Sequence, residues 1–191
     1  MKATAANQLN SSLLREHAKL YYKRYEQTGG VQDLEAAIVH AEAAVEATPV
    51  DHPERAGRLN NLGSMLFRRY EQTGNLQDLE AAILHAEAAV EATPGSHLDK
   101  AGWLNNLGNM LSGRYERAGN VQDLEAAIAH TEAAVKATPE DHPDKAGWLN
   151  NLGNMLSSRY DRAGNVQDLE AAIVHAEVAV DFFFFFFFLH Q

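Results

Sequence analysis

The sequence predicts an all-α protein, an α-solenoid of four antiparallel helix pairs, and three observations support this fold class. The phrase at residues 31–38 recurs three more times at intervals of 45 residues. Residues 75–119 and 120–164 differ at nine of 45 positions. Each repeat also contains two helical stripes of apolar residues, closed by glycine or by Thr-Pro. A short unit copied in this way buries its core between neighbouring copies rather than around one centre.

The first helix of each repeat, here called helix A, is clearest in the fourth repeat. Its apolar stripe has the spacing i, i+3, i+4, i+7 and i+11, with Leu149, Leu152, Gly153, Leu156 and Tyr160. This spacing places the residues on one face of an α-helix. Asp141 and Asp144, on either side of Pro143, predict an acidic N-cap and N3 residue. Gly164, like Gly74 and Gly119, predicts the left-handed position after the last turn.

The second helix, helix B, follows after Asn165, which predicts an N-cap with Asp168 at N3. Its expected buried stripe is Ala172, Ile173, Ala176, Ala179 and Val180. In the complete repeats it ends at Thr-Pro, because proline biases the preceding residue away from helical dihedral angles. Alanines on helix B and glycines at 63, 108 and 153 on helix A predict a close approach of the two helices. We expect Leu149, Leu152, Leu156, Ala172 and Ile173 to be buried.

The period also predicts the domain organisation. The array covers residues 1–181, with units at about 7–49, 51–94, 96–139 and 141–181. Residues 182–191, with seven phenylalanines from Phe182 to Phe188, form a tail outside the repeat. Phenylalanine codons are pyrimidine-rich, so a gene-model artefact is the favoured explanation and a functional anchor is the alternative. The apolar run is shorter than the roughly 20 residues that a membrane-spanning helix needs.

Composition narrows the function classes. The chain has 16 Lys and Arg against 26 Asp and Glu, a formal net charge of −10, which disfavours nucleic acid as a partner. It has no cysteine, so thiolate metal sites and cysteine nucleophiles are excluded. The first ten residues contain no apolar core of a signal peptide, and no stretch is long enough to span a membrane. We expect a cytoplasmic protein without a membrane partner.

The recurring histidines do not predict a metal site. They occur once per repeat in two series, at 40, 85, 130 and 175 and at 52, 97 and 142. Packed helices lie roughly 8 to 10 Å apart, whereas ligands of one zinc ion lie about 2 Å from it. No nucleophile elbow, phosphate-binding glycine loop or isolated carboxylate pair is present. We expect no enzyme activity, no cofactor and no metal.

Some residues carry a resemblance to a known family. The run Leu149-Asn150-Asn151-Leu152-Gly153-Asn154, the spaced alanines of helix B and the closing proline resemble the tetratricopeptide repeat (TPR) signature over residues 11–181. The period of 45 exceeds the TPR period of about 34 residues. Asp141-His142-Pro143-Asp144 before this run is similar to the longer repeats of kinesin light chains, and high-identity TPR arrays also occur in fungal and bacterial proteins. The resemblance implies a right-handed superhelix.

In TPR proteins helix A lines a concave groove, so the resemblance implies a site there. Asn60, Asn105 and Asn150 form one set of groove positions, and Ser64, Asn109 and Asn154 form the next. Asparagine costs up to roughly 0.7 kcal/mol relative to alanine inside a helix, so its recurrence needs a reason. The amides either pair with the backbone of an extended bound peptide or form a solvated face copied with the repeat.

The first repeat differs from the others by its basic residues. Arg15, Lys19 and Lys23 share one stripe beside Tyr22, and Arg68 lies on the next repeat. This set resembles, in part, the carboxylate-clamp TPRs of chaperone adaptors, although Gly102 and Asn106 stand where a full clamp has basic residues. An acidic segment or a free C-terminal carboxylate is the ligand it implies. A charged capping repeat explains the same residues equally well.

Two functions remain open from the sequence. The first is a protein-interaction scaffold that binds an extended peptide or partner in the helix A groove. The alternative is a structural array, or a fragment of a larger regulatory protein, that forms homo-oligomers head to tail. The last helix B has no successor in the sequence, so its apolar face near Ile173, Val174 and Val180 is expected to seek a partner.

Overall fold

The computed structural model describes the backbone of residues 5–95 and 97–189 and the side chains of residues 10–95 and 97–182. Within these residues the secondary structure is entirely helical, which confirms the all-α fold class. The helices are α1 (Ala5–Thr28), α2 (Val31–Glu46), α3 (Arg55–Thr73), α4 (Leu76–Glu91), α5 (Lys100–Ala118), α6 (Val121–Ala137), α7 (Lys145–Ala163) and α8 (Val166–Leu189). Odd-numbered helices are helix A of each repeat, and even-numbered helices are helix B.

The helices form two compact units. The first unit contains α1 to α4, with α1 packed on α2, α3 on α4, and α2 on α3. The second unit contains α5 to α8, with α5 packed on α6, α7 on α8, and α7 against both α5 and α6. Each unit is therefore two antiparallel helix pairs in contact, because two-residue connections leave the paired helices side by side.

Glycine sets the spacing within three of the pairs. A methyl group added at Gly63 would lie 2.9 Å from the carbonyl oxygen of Ala82 on the partner helix. At Gly153 the same methyl would lie 3.3 Å from the carbonyl oxygen of Ala172. Gly108 is tighter still, since its added methyl would collide with the hydroxyl of Thr131. The predicted close approach of helix A and helix B is confirmed.

The helix ends follow the sequence signals in most places. Gly74, Gly119 and Gly164 adopt φ of 70°, 70° and 68° after their helices, the left-handed values that favour glycine. Asn75, Asn120 and Asn165 accept hydrogen bonds from backbone N–H groups two residues later, at 3.0, 3.1 and 3.2 Å. These contacts confirm the predicted N-cap of helix B.

The start of helix A differs from the prediction. Helix α7 begins at Lys145, with Asp144 as the residue before it, so Asp141 is not the N-cap. Neither acidic side chain caps the helix; instead, Nδ1 of His142 accepts a hydrogen bond from the backbone N–H of Asp144 at 3.2 Å. The same contact joins His52 to Glu54 and His97 to Asp99. Pro139 and His142 close successive turns before the helix, which moves its start three residues along the chain.

Each helix pair is also joined by an ion pair that the sequence reasoning missed. An arginine near the end of helix A binds an aspartate in the first turn of helix B, nine residues later. The pairs are Arg24 with Asp33, Arg69 with Asp78, Arg114 with Asp123, and Arg159 with Asp168. The signal was the constant spacing of nine residues between an arginine and an aspartate in all four repeats.

The predicted core is confirmed except at the last helix. Leu149, Leu152 and Leu156 are buried, and so is Ala172. Ile173 and Val180 are 50% and 51% exposed and Ala176 is also exposed, so the prediction that these three would be buried is wrong. The equivalents of Ile173 in α2 and α6, Ile38 and Ile128, are 1% and 3% exposed, because α3 and α7 pack on those helices. No later helix packs on α8 within the described part of the chain.

Helix α8 also runs past the expected boundary at residue 181. Its backbone stays helical to Leu189, because neither proline nor glycine interrupts it. The side chains of residues 183–189 lie outside the described residues, so the predicted separation of this tail from the repeat stays a prediction. In the described residues, no helix combines the length and the apolar character that a bilayer-spanning segment requires.

Candidate peptide-binding surface

The asparagines of helix A fall into two groups by burial. Asn60 and Asn105 are 6% and 5% exposed, whereas Asn150 and Asn154 are exposed and Asn109 is half-buried. The repeat period places these residues at equivalent positions, but neighbouring helices cover only some of them. The accessible amides of the predicted set are therefore Asn109, Asn150 and Asn154, all in the second unit.

Asn105 is held by the neighbouring repeat. Its side-chain oxygen accepts a hydrogen bond from Nδ2 of Asn151 at 3.1 Å, which joins α5 to α7. In the first unit, the hydroxyl of Ser64 donates to the backbone carbonyl of Asn60 at 3.0 Å. Asn105 was predicted to project into the groove, but it is buried and its amide contributes to packing between repeats.

Asn150 and Asn154 lie one helical turn apart on α7. The buried leucines of the same helix, Leu149, Leu152 and Leu156, lie on its packed face. The backbone carbonyl of Asn154 accepts a hydrogen bond from the hydroxyl of Ser158 at 3.1 Å. Both asparagine side chains face solvent, so each has amide donors and an acceptor available to a ligand.

The basic residues of α1 lie where their spacing predicted. Arg15 is half-buried and donates to Glu16 Oε1 at 2.9 Å and to Glu54 Oε1 at 3.5 Å. The ammonium group of Lys19 lies 3.7 Å from the same Glu16 oxygen. Lys23 is exposed. Two of the three cations therefore already contact carboxylates, which a ligand would have to share or displace.

Tyr22 and Arg68 complete the predicted set. Tyr22 lies against Tyr25, with ring centroids 5.8 Å apart. Arg68 donates to Glu71 Oε2 at 2.7 Å. Burial acts to lower the pKa of Arg68, but the charge of Glu71 and a hydrogen bond with Tyr22 outweigh it and raise the pKa.

Arg58 is a buried cation that the sequence reasoning did not single out. It lies on α3, and its side chain is 4% exposed. Repeats three and four have Trp103 and Trp148 at the equivalent positions. A cation in place of an aromatic residue is a break in the repetition, and this was the signal available in the sequence.

The histidines have local structural contacts. His97 and His142 stack on Trp103 and Trp148, with ring centroids 5.7 and 5.8 Å apart. Burial lowers the pKa of His85 and of His175, which favours their neutral forms. No group of three histidine, aspartate or glutamate side chains with metal-binding geometry forms within the described residues.

Comparison with known proteins bears on the fold and the family. A family model described as tetratricopeptide repeat matches residues 55–91, 101–144 and 146–177, which is more than half of the chain. A comparison with curated proteins finds no match.

Several solved structures are similar in fold. MamA has a TM-score of 0.61 and 17% identity, over 91% of this chain and 78% of that one. BtubC (BKLC) from P. vanneervenii has a TM-score of 0.67 and 20% identity, over 92% of this chain and 65% of that one. The DHF58 filament has a TM-score of 0.51 and 17% identity, over 94% and 95%. This chain therefore spans less than two thirds of the BtubC structure, and at these identities the likeness concerns the fold.

Proposed function

The chain belongs to the tetratricopeptide repeat family, and we propose that it is a protein-interaction scaffold that binds an extended peptide along helix A of its repeats. The observation that carries the proposal is the pair of exposed amides on α7. Asn150 and Asn154 project from the face opposite the buried leucines, where they do not contribute to the core. An extended peptide has unpaired backbone N–H and C=O groups. An asparagine side chain can donate to the C=O groups through its NH₂ group and accept from the N–H groups through its oxygen.

The basic row of α1 supports a charge preference for the ligand. Arg15, Lys19 and Lys23 are concentrated on one helix of a chain whose net charge is −10. Local positive charge of this kind attracts an acidic segment or a C-terminal carboxylate and speeds its association. The proposed partner is thus an acidic protein segment, and the resemblance to kinesin light chains remains a prediction.

Alanine variants of the accessible amides test the proposal. Peptides selected from a random dodecapeptide library on the full chain would be measured by fluorescence anisotropy. Each hydrogen bond contributes about 1 kcal/mol, so the triple variant N109A/N150A/N154A should bind at least about tenfold more weakly. The matched control is Q122A/Q167A, which removes exposed amides from the start of helix B. Equal affinity of the triple variant and the wild type would reject the helix A site.

Self-assembly is a second candidate, and the exposure of α8 favours it. Ile173 and Val180 are 50% and 51% exposed, while Ile38 and Val45, their equivalents in α2, are 1% and 7% exposed. Helix A of a second copy could cover this face as α3 covers α2. Val174 is not part of the face that a second copy would cover, since its equivalents Val39 and Leu84 are also exposed. The similar DHF58 structure is described as a filament, which supports assembly as a property open to this fold.

Sedimentation of the full chain and of a chain truncated after residue 181 separates this candidate from peptide binding alone. We expect concentration-dependent oligomers in both, and we expect I173K to shift both toward monomer. V166K is the control, because Val31 and Leu76 at the equivalent position in the first two repeats are also exposed. A strict monomer at high concentration would leave peptide binding as the function.

A further inference from the structure

The first helix has an exposed apolar face that its equivalent in the next repeat does not expose. Leu13 and Leu20 on α1 are 54% and 65% exposed. Arg58 and Met65, at the same places one repeat later, are 4% and 5% exposed. The difference arises because α3 packs on α2, whereas no helix B precedes α1 in the described residues. Leu13 and Leu20 therefore lie on the side of α1 that a preceding helix B would cover.

The last helix has the complementary face. Ile173 and Val180 on α8 are exposed although their equivalents in α2 are buried. Beside them is an open surface depression, lined by Ala176, Glu177, Val180 and Asp181. This is the side of helix B that a following helix A covers in the first two and the last two repeats. The face of α8 is thus apolar in its centre and bordered by carboxylates.

The junction between α6 and α7 shows how such faces meet. The hydroxyl of Thr131 on α6 lies 3.5 Å from the sulfur of Met155 on α7. Further along, Nη1 of Arg159 on α7 donates to Oε2 of Glu125 on α6 at 2.8 Å. The later residue of α7 contacts the earlier residue of α6, so the two helices run antiparallel.

The junction between α2 and α3 supplies a third contact of the same kind. Nη1 of Arg58, near the start of α3, lies 3.5 Å from the carbonyl oxygen of Ala44, near the end of α2. The period of 45 residues carries all three contacts over to the two exposed faces. On α1 the equivalent residues are Leu13, Leu20 and Arg24, and on α8 they are Ala179, Ala176 and Glu170.

Arg24 on α1 has one contact fewer than Arg159 on α7. Each arginine binds the aspartate nine residues later through Nε and Nη2. Arg159 also binds Glu125 of the preceding repeat and is 26% exposed. Arg24 is 59% exposed, and besides Asp33 it lies over the ring of Tyr21. The face of α1 thus has a cation where the interior junction has an ion pair between repeats.

Glu170 on α8 has the opposite charge at the matching place. It is exposed, and within the described residues no cation pairs with it. Its equivalent Glu125 pairs with Arg159. The face of α8 therefore presents a carboxylate, the face of α1 presents a guanidinium, and the two faces are complementary in charge as well as in apolar character.

We propose that the exposed face of α1 binds the exposed face of α8 in a second copy of this chain, as α7 packs on α6. Leu20 then lies against Ala176, and Arg24 pairs with Glu170. The inference rests on self-assembly, the second candidate function, and adds to it the face that covers α8 and the direction of the contact. Because two different faces meet, each added copy leaves one of each kind free, so a dimer does not complete the assembly.

Two variants that each block one face test the proposal. L20K blocks α1 and leaves α8 intact, and I173K does the reverse. Both residues are exposed, so lysine is compatible with the fold. In sedimentation velocity at 0.15 M NaCl, which screens the repulsion between acidic chains, we expect each variant alone to associate at least about tenfold more weakly than the wild type. An equimolar mixture retains one intact junction, so we expect it to form a heterodimer and to grow no further.

The matched control for L20K is V39K. Val39 is 62% exposed, and its equivalents Leu84 and Val174 are also exposed, so it lies outside the proposed junction. We expect V39K to associate as the wild type does. The register is tested by E170R, which places a second cation beside Arg24 and should weaken association about fivefold. D161R changes the net charge equally at an exposed residue of α7 and should not weaken it.

The outcomes separate this junction from the functions proposed above. A heterodimer from two variants that do not associate alone supports the junction. If L20K associates as strongly as the wild type while I173K does not, α8 binds another part of the second copy; the α1 site is then overturned, but self-assembly stands. Equal association of E170R and D161R overturns the pairing of Arg24 with Glu170. A wild type that remains monomeric overturns both the junction and self-assembly, and peptide binding is unaffected.

Discussion

The guanidinium of Arg159 donates two hydrogen bonds to the carboxylate of Asp168, from Nε at 2.9 Å and from Nη2 at 2.7 Å. Arg159 lies near the end of α7 and Asp168 near the start of α8, so the contact spans the turn between the two helices. Asp168 also lies in the first turn of α8, where a negative charge is favourable. The same two-bond geometry recurs at Arg69 with Asp78 and at Arg114 with Asp123.

Breaking one of these pairs should lower stability. In D123N the amide keeps one acceptor but loses the charge, while Arg114 remains partly buried. Hydrogen bonds to charged groups contribute about 1.5 to 3 kcal/mol, so we expect a loss of about that size in the free energy of unfolding by urea. The control is E116Q, an exposed carboxylate on α5. Equal stability of the two variants would mean that the turn needs no ion pair.

The pair at Asp168 should make stability depend on pH. A hydrogen bond from Arg159 lowers the pKa of Asp168 below its ordinary value, whereas in the unfolded chain an aspartate has a pKa of about 3.9. The stabilisation is therefore complete above the unfolded pKa and is lost as the pH falls through the lower, folded pKa. We expect the difference in Tm between the wild type and D168N to narrow from pH 6 to pH 2. D161N is the control, and a difference that stays constant with pH would contradict the assignment.

Two glycines of helix A should respond to alanine in opposite directions. In G108A the new methyl group meets Thr131 and the carbonyl oxygen of Ala127, the latter at 3.0 Å. Overpacking of this kind costs about 1 to 3 kcal/mol, and we expect a lower Tm. In G147A nothing lies within 4 Å of the methyl, so the helix gains up to about 1 kcal/mol from alanine. Thermal melting of both variants measures the contrast, and a stabilised G108A would contradict the close packing.

Charge reversal on α1 should weaken binding of an acidic peptide. In R15E/K19E/K23E we expect at least about tenfold weaker binding of an acidic dodecapeptide with a free C-terminus. For the wild type, raising the salt concentration should weaken binding, because ions screen exposed charges. The control R117E/K136E/R162E changes the net charge equally but reverses exposed cations of the second unit. If both triple variants lose affinity alike, net charge and not this row determines binding.

Truncation after residue 181 should raise solubility. Seven adjacent phenylalanines place aromatic groups on every face of a helix, whereas helix B of the repeat needs apolar groups on one stripe. We expect Tm to change by less than about 2 °C and the helical signal to fall only by the residues removed from α8. A clear loss of Tm would show that the aromatic residues pack on the fourth repeat.

The sequence was informative wherever a local rule decides the structure. Gly164 ends α7 and Asn165 caps α8 because each residue acts on its own turn. Whether Ile173 and Asn105 are exposed or buried could not be predicted in the same way, since this depends on whether a neighbouring helix covers the residue. The start of α7 was also ambiguous, because Asp141 and Asp144 satisfy the same capping rule and the contact of His142 decides between them.

Arg58 illustrates the limit for the candidate site. A single cation among repeated residues looks like ordinary variation until the structure shows that it is buried beside Arg15. By contrast, the exposed pair Asn150 and Asn154 followed directly from helical spacing and the positions of the leucines. Sequence patterns predicted which face is polar, but they could not predict which polar groups lack a partner.

The packing of each helix on its neighbours has a kinetic consequence. Tyr25 and Gln72 are 47 residues apart and Asn105 and Asn151 are 46 apart, and these are among the most distant side-chain hydrogen bonds in the described structure. The two units thus have a low contact order, because most partners of a residue lie within about one repeat of it in the chain. Proteins with low contact order close short loops before they gain contacts, and they fold in microseconds to milliseconds. Stopped-flow refolding of this chain should therefore have a fast main phase.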